Sequence, residues 1–473
     1  MSEPREVIKK LRAVVVMLEG LDWKVLQRDI GATTFERMTQ SLMSFRNYVP
    51  SGVGAQQRWR ELDTGRHSFL HTSSGSPQPF DSSVHVALRD RGVNVWSIRG
   101  NPVSFEGLRE EDTHGAGCDL LPSKSHACLP GLARGLDVIR ANAEKDPWLV
   151  YIDCVAPSAG ESSLSDSKQH SAVADTALAG SGPQLPLASI EENRQGGRRS
   201  GVNSNQISPY DHALTSILDC LDELDLWQET LVVVGGAHGQ GPDSPRAYGL
   251  PIKMPLFIWD PRVATSGEIR KSLVQTTDFA PTLLDFFEAP RASDVQGKSL
   301  EALIRSDIPV RDAGLFGTFG SRMNVTDGQY VYMRGCATRD NQPLFEYTLS
   351  PLDMPVELSL GELAGSTLAE EFSFSRGIPL LRIPRSSKAF PNCGGSFLFD
   401  LASDPRMANP IVDADLELRM ATLIAELMWL HEAPTEQYER VGLPRVEAVT
   451  RQHLQISKDL GAGSPEIGTF APS

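Results

Sequence analysis

Residues 231–240 read LVVVGGAHGQ, and this stretch decides the fold. Four apolar residues, three of them β-branched, run into a glycine-flanked Ala237-His238 pair. That pattern is a buried strand ending in a tight loop. In open α/β sheets ligands gather beyond the carboxyl ends of such strands, so the chemistry is sought here. His238 is the one residue of the stretch able to bind a metal or move a proton, and Ala237 before it offers only a methyl group.

Working outward, residues 13–18 form the first strand and Glu19-Gly20-Leu21-Asp22 the loop at its end. Thr33 or Thr34 caps a helix running to about Met43, and the chain breaks direction over residues 47–52, where Pro50 and Gly52 fall close together. A helix follows over 54–62, ending near Thr64-Gly65-Arg66. Residues 84–91 suit a helix, and 93–98 and 148–154 buried strands. Leu214, Ile217, Leu218 and Leu221 recur at helical spacing within 209–226, and 255–259 is a further strand. Asp278 is placed to cap a helix reaching about Phe287, with Pro281 in its first turn.

Strands alternating with helices up to about residue 305 mean an α/β fold: a mostly parallel sheet flanked by helices. The pattern then changes. Residues 323–325 and 329–333 make a hairpin through Thr326-Asp327-Gly328, 343–348 and 396–401 add strands, and 413–430 a helix. The expected organisation is an α/β domain over 1–308, with a surface insertion at 159–201 rich in Ser, Gly, Ala and charge. A smaller C-terminal α+β domain with an antiparallel sheet covers 309–440, and a tail covers 441–473.

The net charge of −15 argues against nucleic acid or an anionic membrane as partner, since both reward clustered Lys and Arg. The apolar run at 13–18 is far short of the roughly 20 residues that cross a bilayer and has no small-residue cleavage site, so a cytoplasmic protein is expected. Six scattered cysteines fit free thiols better than a disulfide framework.

Six separated stretches resemble, in order, the sulfatase family of the alkaline phosphatase superfamily. VVVMLEGLD (14–22) is similar to its first strand and metal loop, ELDTGRHSFLH (61–71) to the TGR segment behind its nucleophile, and LVVVGGAHGQ to its later metal loop. TTDFAPTLLDFF (276–287), NVTDGQYVYMRG (324–335) and FLFDLASDP (397–405) resemble its later helix and C-terminal sheet. The family carries CxPxR before TGR. Counting back from Thr64-Gly65-Arg66, Ala55 stands at the Cys, Gln57 at the Pro and Trp59 at the Arg. A methyl group can neither be matured to the family's formylglycine nor attack an ester.

The resemblance also implies a hard divalent cation held by carboxylates. Its first carboxylate pair matches Glu19-Gly20 and its Asp-His pair Ala237-His238, so Glu19 and His238, helped by Asp22, are the candidates for a residual Ca2+ or Mg2+ site. Where the family places histidines on sulfate, this chain reads Arg99-Gly100-Asn101-Pro102 after one strand and Ser158 after another.

Other signals have plainer readings beside the sharp ones. Ser51 is a candidate replacement nucleophile, although a serine between Pro50 and Gly52 is more often a turn residue. His238 serves equally well as a structural histidine. The glycines around it do not make GxGxxG. His114, Cys118, His126 and Cys128 have no common zinc spacing and read as loop residues. Arg66 and Lys253 are candidates to hold an anion at the old pocket.

The expectation is a sulfatase-family pseudoenzyme with a binding or regulatory role, taking a small anion, a sulfated ligand or a protein partner. The alternative is a metal-dependent hydrolase of sulfate or phosphate esters, with a rearranged site built from Glu19, Asp22, His238 and Ser51. A third reading is a subunit that stabilises an active relative through its C-terminal domain.

Overall fold

The computed structural model describes residues 11–19, 21–23, 26, 32–52, 55–99, 132–154, 209–237, 252–354, 357–386, 390 and 394–461. The expected insertion at 159–201 lies outside them, as do His238, Ser158, Gly100 to Pro102 and the four His and Cys residues between 114 and 128.

The first strand, β1 (Arg12–Glu19), is apolar from Ala13 to Leu18 because both faces of the sheet are covered. Ala13, Val15 and Met17 point into one core and Val14, Val16 and Leu18 into the other. Each such buried side chain contributes about 1.5–3 kcal/mol. Chain order then runs α1 (Ala32–Ser41), β2 (Met43–Tyr48), α2 (Ala55–Thr64), α3 (Val84–Asp90), β3 (Asn94–Arg99), α4 (Leu132–Asn142), β4 (Trp148–Cys154), α5 (Pro209–Glu223), β5 (Thr230–Ala237), β6 (Met254–Trp259), β7 (Ile269–Val274), α6 (Phe279–Phe286) and α7 (Glu301–Ser306). The seven strands are ordered β3-β4-β1-β5-β6-β2-β7. Only β6 runs against its neighbours, so the sheet is mixed but mostly parallel. Helices α2, α3, α6 and α7 cover one face, and α1, α4 and α5 the other.

The smaller C-terminal lobe holds β8 (Gly314–Phe316), β9 (Met323–Thr326), β10 (Tyr330–Arg334), β11 (Phe345–Thr348), α8 (Leu360–Ala364), β12 (Thr367–Leu368), β13 (Leu381–Pro384), β14 (Phe397–Asp400), α9 (Ala414–Leu430), α10 (Thr435–Val441) and α11 (Ile456–Gly461). Its antiparallel sheet, ordered β14-β10-β9-β8, packs against α9 through Met323, Val325, Tyr332, Met420, Ile424 and Met428. Strands β11, β13 and β12 form a second small sheet. The lobe is fastened to the large sheet behind Ser51, where the Gly317 amide donates to the Ser51 carbonyl at 2.9 Å.

Four local expectations change. Strand β5 continues through Gly235, Gly236 and Ala237 instead of ending at the glycines. A Cβ at Gly236 would lie 2.1 Å from the Leu21 carbonyl, so the glycine there serves close approach of β5 to the loop after β1. Residues 43–48 form β2 between β6 and β7, where the local pattern suggested the end of a helix and a break. Asp278 does not cap α6 with its side chain. Its carboxylate accepts from the amides of Gln275 and Lys298, both at 2.8 Å, and from Arg311. Packing also runs past residue 440: Leu443 and Ile456 are buried in the lobe's core. Arg334 donates there to the carbonyls of Val441, Gly442 and His453 at 2.7, 2.9 and 2.8 Å.

Candidate functional site

The parallel register brings the ends of β1, β4 and β5 together. Met17 stands opposite Asp153 on one side and Gly235 on the other, and Glu19 stands opposite Ala237. Beside this edge the chain leaves β2, turns through Pro50-Ser51-Gly52 and enters α2, which opens at Ala55.

Helix α2 is polar in sequence yet buried from Gln57 to Thr64. Buried polar groups must be hydrogen-bonded, and Arg58, Arg60, Glu61 and Asp63 find partners on other elements. Arg58 donates from Nη2 to the Asp153 carboxylate at 3.2 and 3.4 Å. Arg60 makes two bonds to Asp81, at 2.8 and 3.0 Å. Glu61 accepts from the Ser51 hydroxyl at 2.7 Å, and Asp63 accepts from Ser83 at 2.8 Å and from His85.

Trp59, at the position counted as the family's arginine, places its ring 4.7 Å from Tyr151 and 4.9 Å from His85. It fills apolar space, and the positive charge comes instead from its neighbour Arg58. The trio at the sheet edge is therefore Glu19, Asp153 and Arg58. Burial pushes the Glu19 carboxyl up, Arg58 pulls it back and Asp153 adds to the rise. Nearby, burial pushes Glu61 up to about 8, against the pull of Ser51, the Gly52 and Ser68 amides and Arg60. Burial thus favours the neutral acid at Glu61.

The candidate residues read from sequence scatter around this trio. Glu19 is part of it. Asp22 sits in the turn after β1, its carbonyl accepting from the Leu26 amide at 3.0 Å. Ser51 is sealed, with no exposed surface and its hydroxyl given to Glu61. Arg66, expected to hold an anion at the pocket, is buried. Its guanidinium bonds Asp81 at 2.6 Å and lies 4.0 Å from the Phe374 ring centroid. Lys253 donates to the Gly328 carbonyl at 2.6 Å, half-buried against the C-terminal lobe. Sequence reading missed Arg58, Glu61 and Asp153. The available signal was an aspartate closing the apolar strand WLVYIDC and an arginine beside the unexpected tryptophan.

Chemically, the trio can orient a polar group through two carboxylates and a guanidinium. Among the described residues no cluster of three or more His, Cys, Asp or Glu side chains is arranged to hold a metal. No helix among them is long and apolar enough to cross a membrane.

Comparison with known proteins follows the same outline. No curated protein matches the chain by sequence. Among solved structures, one from work on glycosaminoglycan metabolism by Bacteroides thetaiotaomicron is similar over 92% of this chain and all of that one, at 13% identity and a TM-score of 0.57. The putative sulfatase yidJ from Bacteroides fragilis is similar over 93% of this chain and 99% of its own, at 14% identity and 0.57. The phosphonate monoester hydrolase of Agrobacterium radiobacter is similar over 89% and 95%, at 13% identity and 0.51. These likenesses are of fold. The sequence model of the Sulfatase family matches residues 12–289, the whole of the sheet and all the helices on its faces except α7. By that match, which covers more than half of its length, the chain belongs to the sulfatase family.

Proposed function

We propose that this protein is a sulfatase-family member without ester hydrolysis, a binding protein whose old pocket takes a sulfated or similar anionic ligand. The observation that carries the reading is Ala55 at the first position of α2, at the place counted back from TGR for the nucleophile. Ser51 does not replace it, because its hydroxyl is buried and committed to Glu61. Ala237 at the end of β5 adds a second methyl where the resemblance puts a carboxylate. Losing a nucleophile alone costs on the order of a millionfold in turnover in well-studied hydrolases. The ligand class is supported by a structure of the same fold solved with its substrate, D-glucosamine-2-N,6-O-disulfate, at 13% identity and a TM-score of 0.55.

The test is an assay of the intact chain on aryl sulfate, phosphate and phosphonate esters with calcium, magnesium, manganese or zinc, beside a calorimetric titration with sulfated glucosamine. No turnover with saturable binding is expected. Metal-dependent turnover that disappears in Glu19→Gln would overturn the non-catalytic reading, and absence of binding would overturn the ligand class.

A further inference from the structure

A helix on a protein surface normally turns its apolar residues inward and its charges outward. Helix α8 (Leu360–Ala364) does the reverse. None of its residues is buried, Leu360 is 85% exposed and Leu363 45%, and the two leucines stand at i and i+3 on one side. The charged residue between them is the one turned inward. Glu362, its side chain 12% exposed, accepts from the amide and hydroxyl of Ser359 and from the Ser386 amide, all at 2.8 Å, and lies 3.9 Å from Arg385. A Cβ at Gly365 would lie 2.9 Å from Pro384, so the end of α8 is seated against β13. Against the same strand pairs β12, the edge of the small sheet, whose Leu368 is 69% exposed. Only Gly365 and Ser366 join α8 to β12, which makes the three leucines neighbours.

We propose that Leu360, Leu363 and Leu368 form a docking surface for a basic amphipathic helix of a partner protein. Clustered apolar side chains held in water on a folded domain mark an interaction site. Charge selects the occupant. Between residues 357 and 378 the exposed charged side chains are Glu357, Glu370, Glu371 and a single base, Arg376, which donates to Ser82. A second copy docking through the same face would set these glutamates against their own counterparts, on a chain whose net charge is already −15. An anionic membrane is repelled for the same reason. Lysines and arginines flanking an apolar helix face would instead meet the glutamates with opposite charge. The two-residue β12 is too short an edge to recruit a strand by main-chain bonds, which leaves the leucine side chains as the recognition element.

The experiment uses the full chain and a fluorescent Leu/Lys peptide with leucine at i, i+3, i+4 and i+7, beside the same peptide carrying glutamate for lysine. Saturable binding of the Leu/Lys peptide alone is expected. Leu360→Ser combined with Leu363→Ser should weaken it at least about tenfold while the melting temperature stays unchanged. Should the double variant melt earlier, Leu360→Ser alone, at the more exposed of the two positions, replaces it. Glu357→Gln, Glu370→Gln and Glu371→Gln together should also weaken binding and flatten its dependence on salt. No saturable binding, binding indifferent to the leucines, or equal binding of the glutamate peptide would overturn the proposal. So would a wild-type dimer in sedimentation that the serine variant turns into monomer, because the occupant would then be a second copy. Leucine-dependent binding to phosphatidylserine vesicles would overturn it too, by assigning the surface to a membrane.

Discussion

Replacing Glu61 by glutamine should make the fold acid-sensitive. Glu61 is fully buried, and burial lifts its carboxyl from 4.5 to about 8. The folded chain therefore holds a proton that the unfolded chain releases above pH 4.5. Stability from this group is fully present below 4.5 and is lost as pH rises through 8. Acidifying from pH 8 to 5 then adds on the order of 3 kcal/mol from Glu61 alone. His71 and His431 act in the opposite sense. Both are buried, and burial lowers each from 6.5 to about 3, so the unfolded chain binds their protons first. Their stability is present above 6.5 and lost as pH falls toward 3, about 2 kcal/mol each by pH 5. Burial pushes His67, 4.4 Å from His431 between ring centroids, the same way.

In the wild-type protein the acid and the histidines largely offset one another between pH 8 and 5. Glu61→Gln keeps an oxygen to accept from Ser51 but removes the acid's contribution, exposing a loss of about 4 kcal/mol or more over the same range. The assay is urea unfolding of both proteins at pH 8, 6.5 and 5. The gap between the two curves isolates Glu61 and should change by on the order of 3 kcal/mol. Parallel curves would show Glu61 ionised in the folded chain and refute the reasoning.

Two further substitutions probe the site's scaffold. Trp59→Arg restores the residue type counted from the family motif, but it places a charge between Tyr151 and His85, both packed on the indole. A loss of at least about 3 kcal/mol in urea unfolding and no gain of ester hydrolysis are expected. Measurable turnover in this single variant would contradict the account. Gly236→Ala drives a methyl group to 2.1 Å from the Leu21 carbonyl, so β5 or the loop carrying Leu21 must shift. A clear fall in melting temperature is expected, and an unchanged value would mean that the approach is looser than described.

Strands buried on both faces were legible because nothing interrupts their apolar runs, as in residues 13–18 and 231–234. The hairpin of β9 and β10 was legible from Thr326-Asp327-Gly328 between two alternating stretches. Strand β2 was not: MSFRNY carries serine, arginine and asparagine, and it becomes a strand because β6 and β7 flank it. Asp278 misled for a related reason. Its helix begins where the local signal put it, but the carboxylate is drawn to Arg311 and to two backbone amides instead of its own first turn.

For the site, counting along the chain sets the expectation. Motif spacing is a one-dimensional property, and it places Ala55, Trp59 and Ala237 where the resemblance calls for reactive or metal-binding groups. What replaces them was beyond such counting. Arg58 and Asp153 are 95 residues apart, and Arg66, which looks like a pocket residue in sequence, is claimed by Asp81. A charge's partner in a buried helix is chosen by which elements the sheet register and helix packing bring within about 3 Å, because only contact at that range offsets desolvation. The linear chain determined the scaffold and put Ala55 at the place counted back from TGR for the family's nucleophile. The tertiary structure alone decided that Arg58 pairs with Asp153 at the sheet edge, and that the polar helix α2 lies buried with its arginines paired.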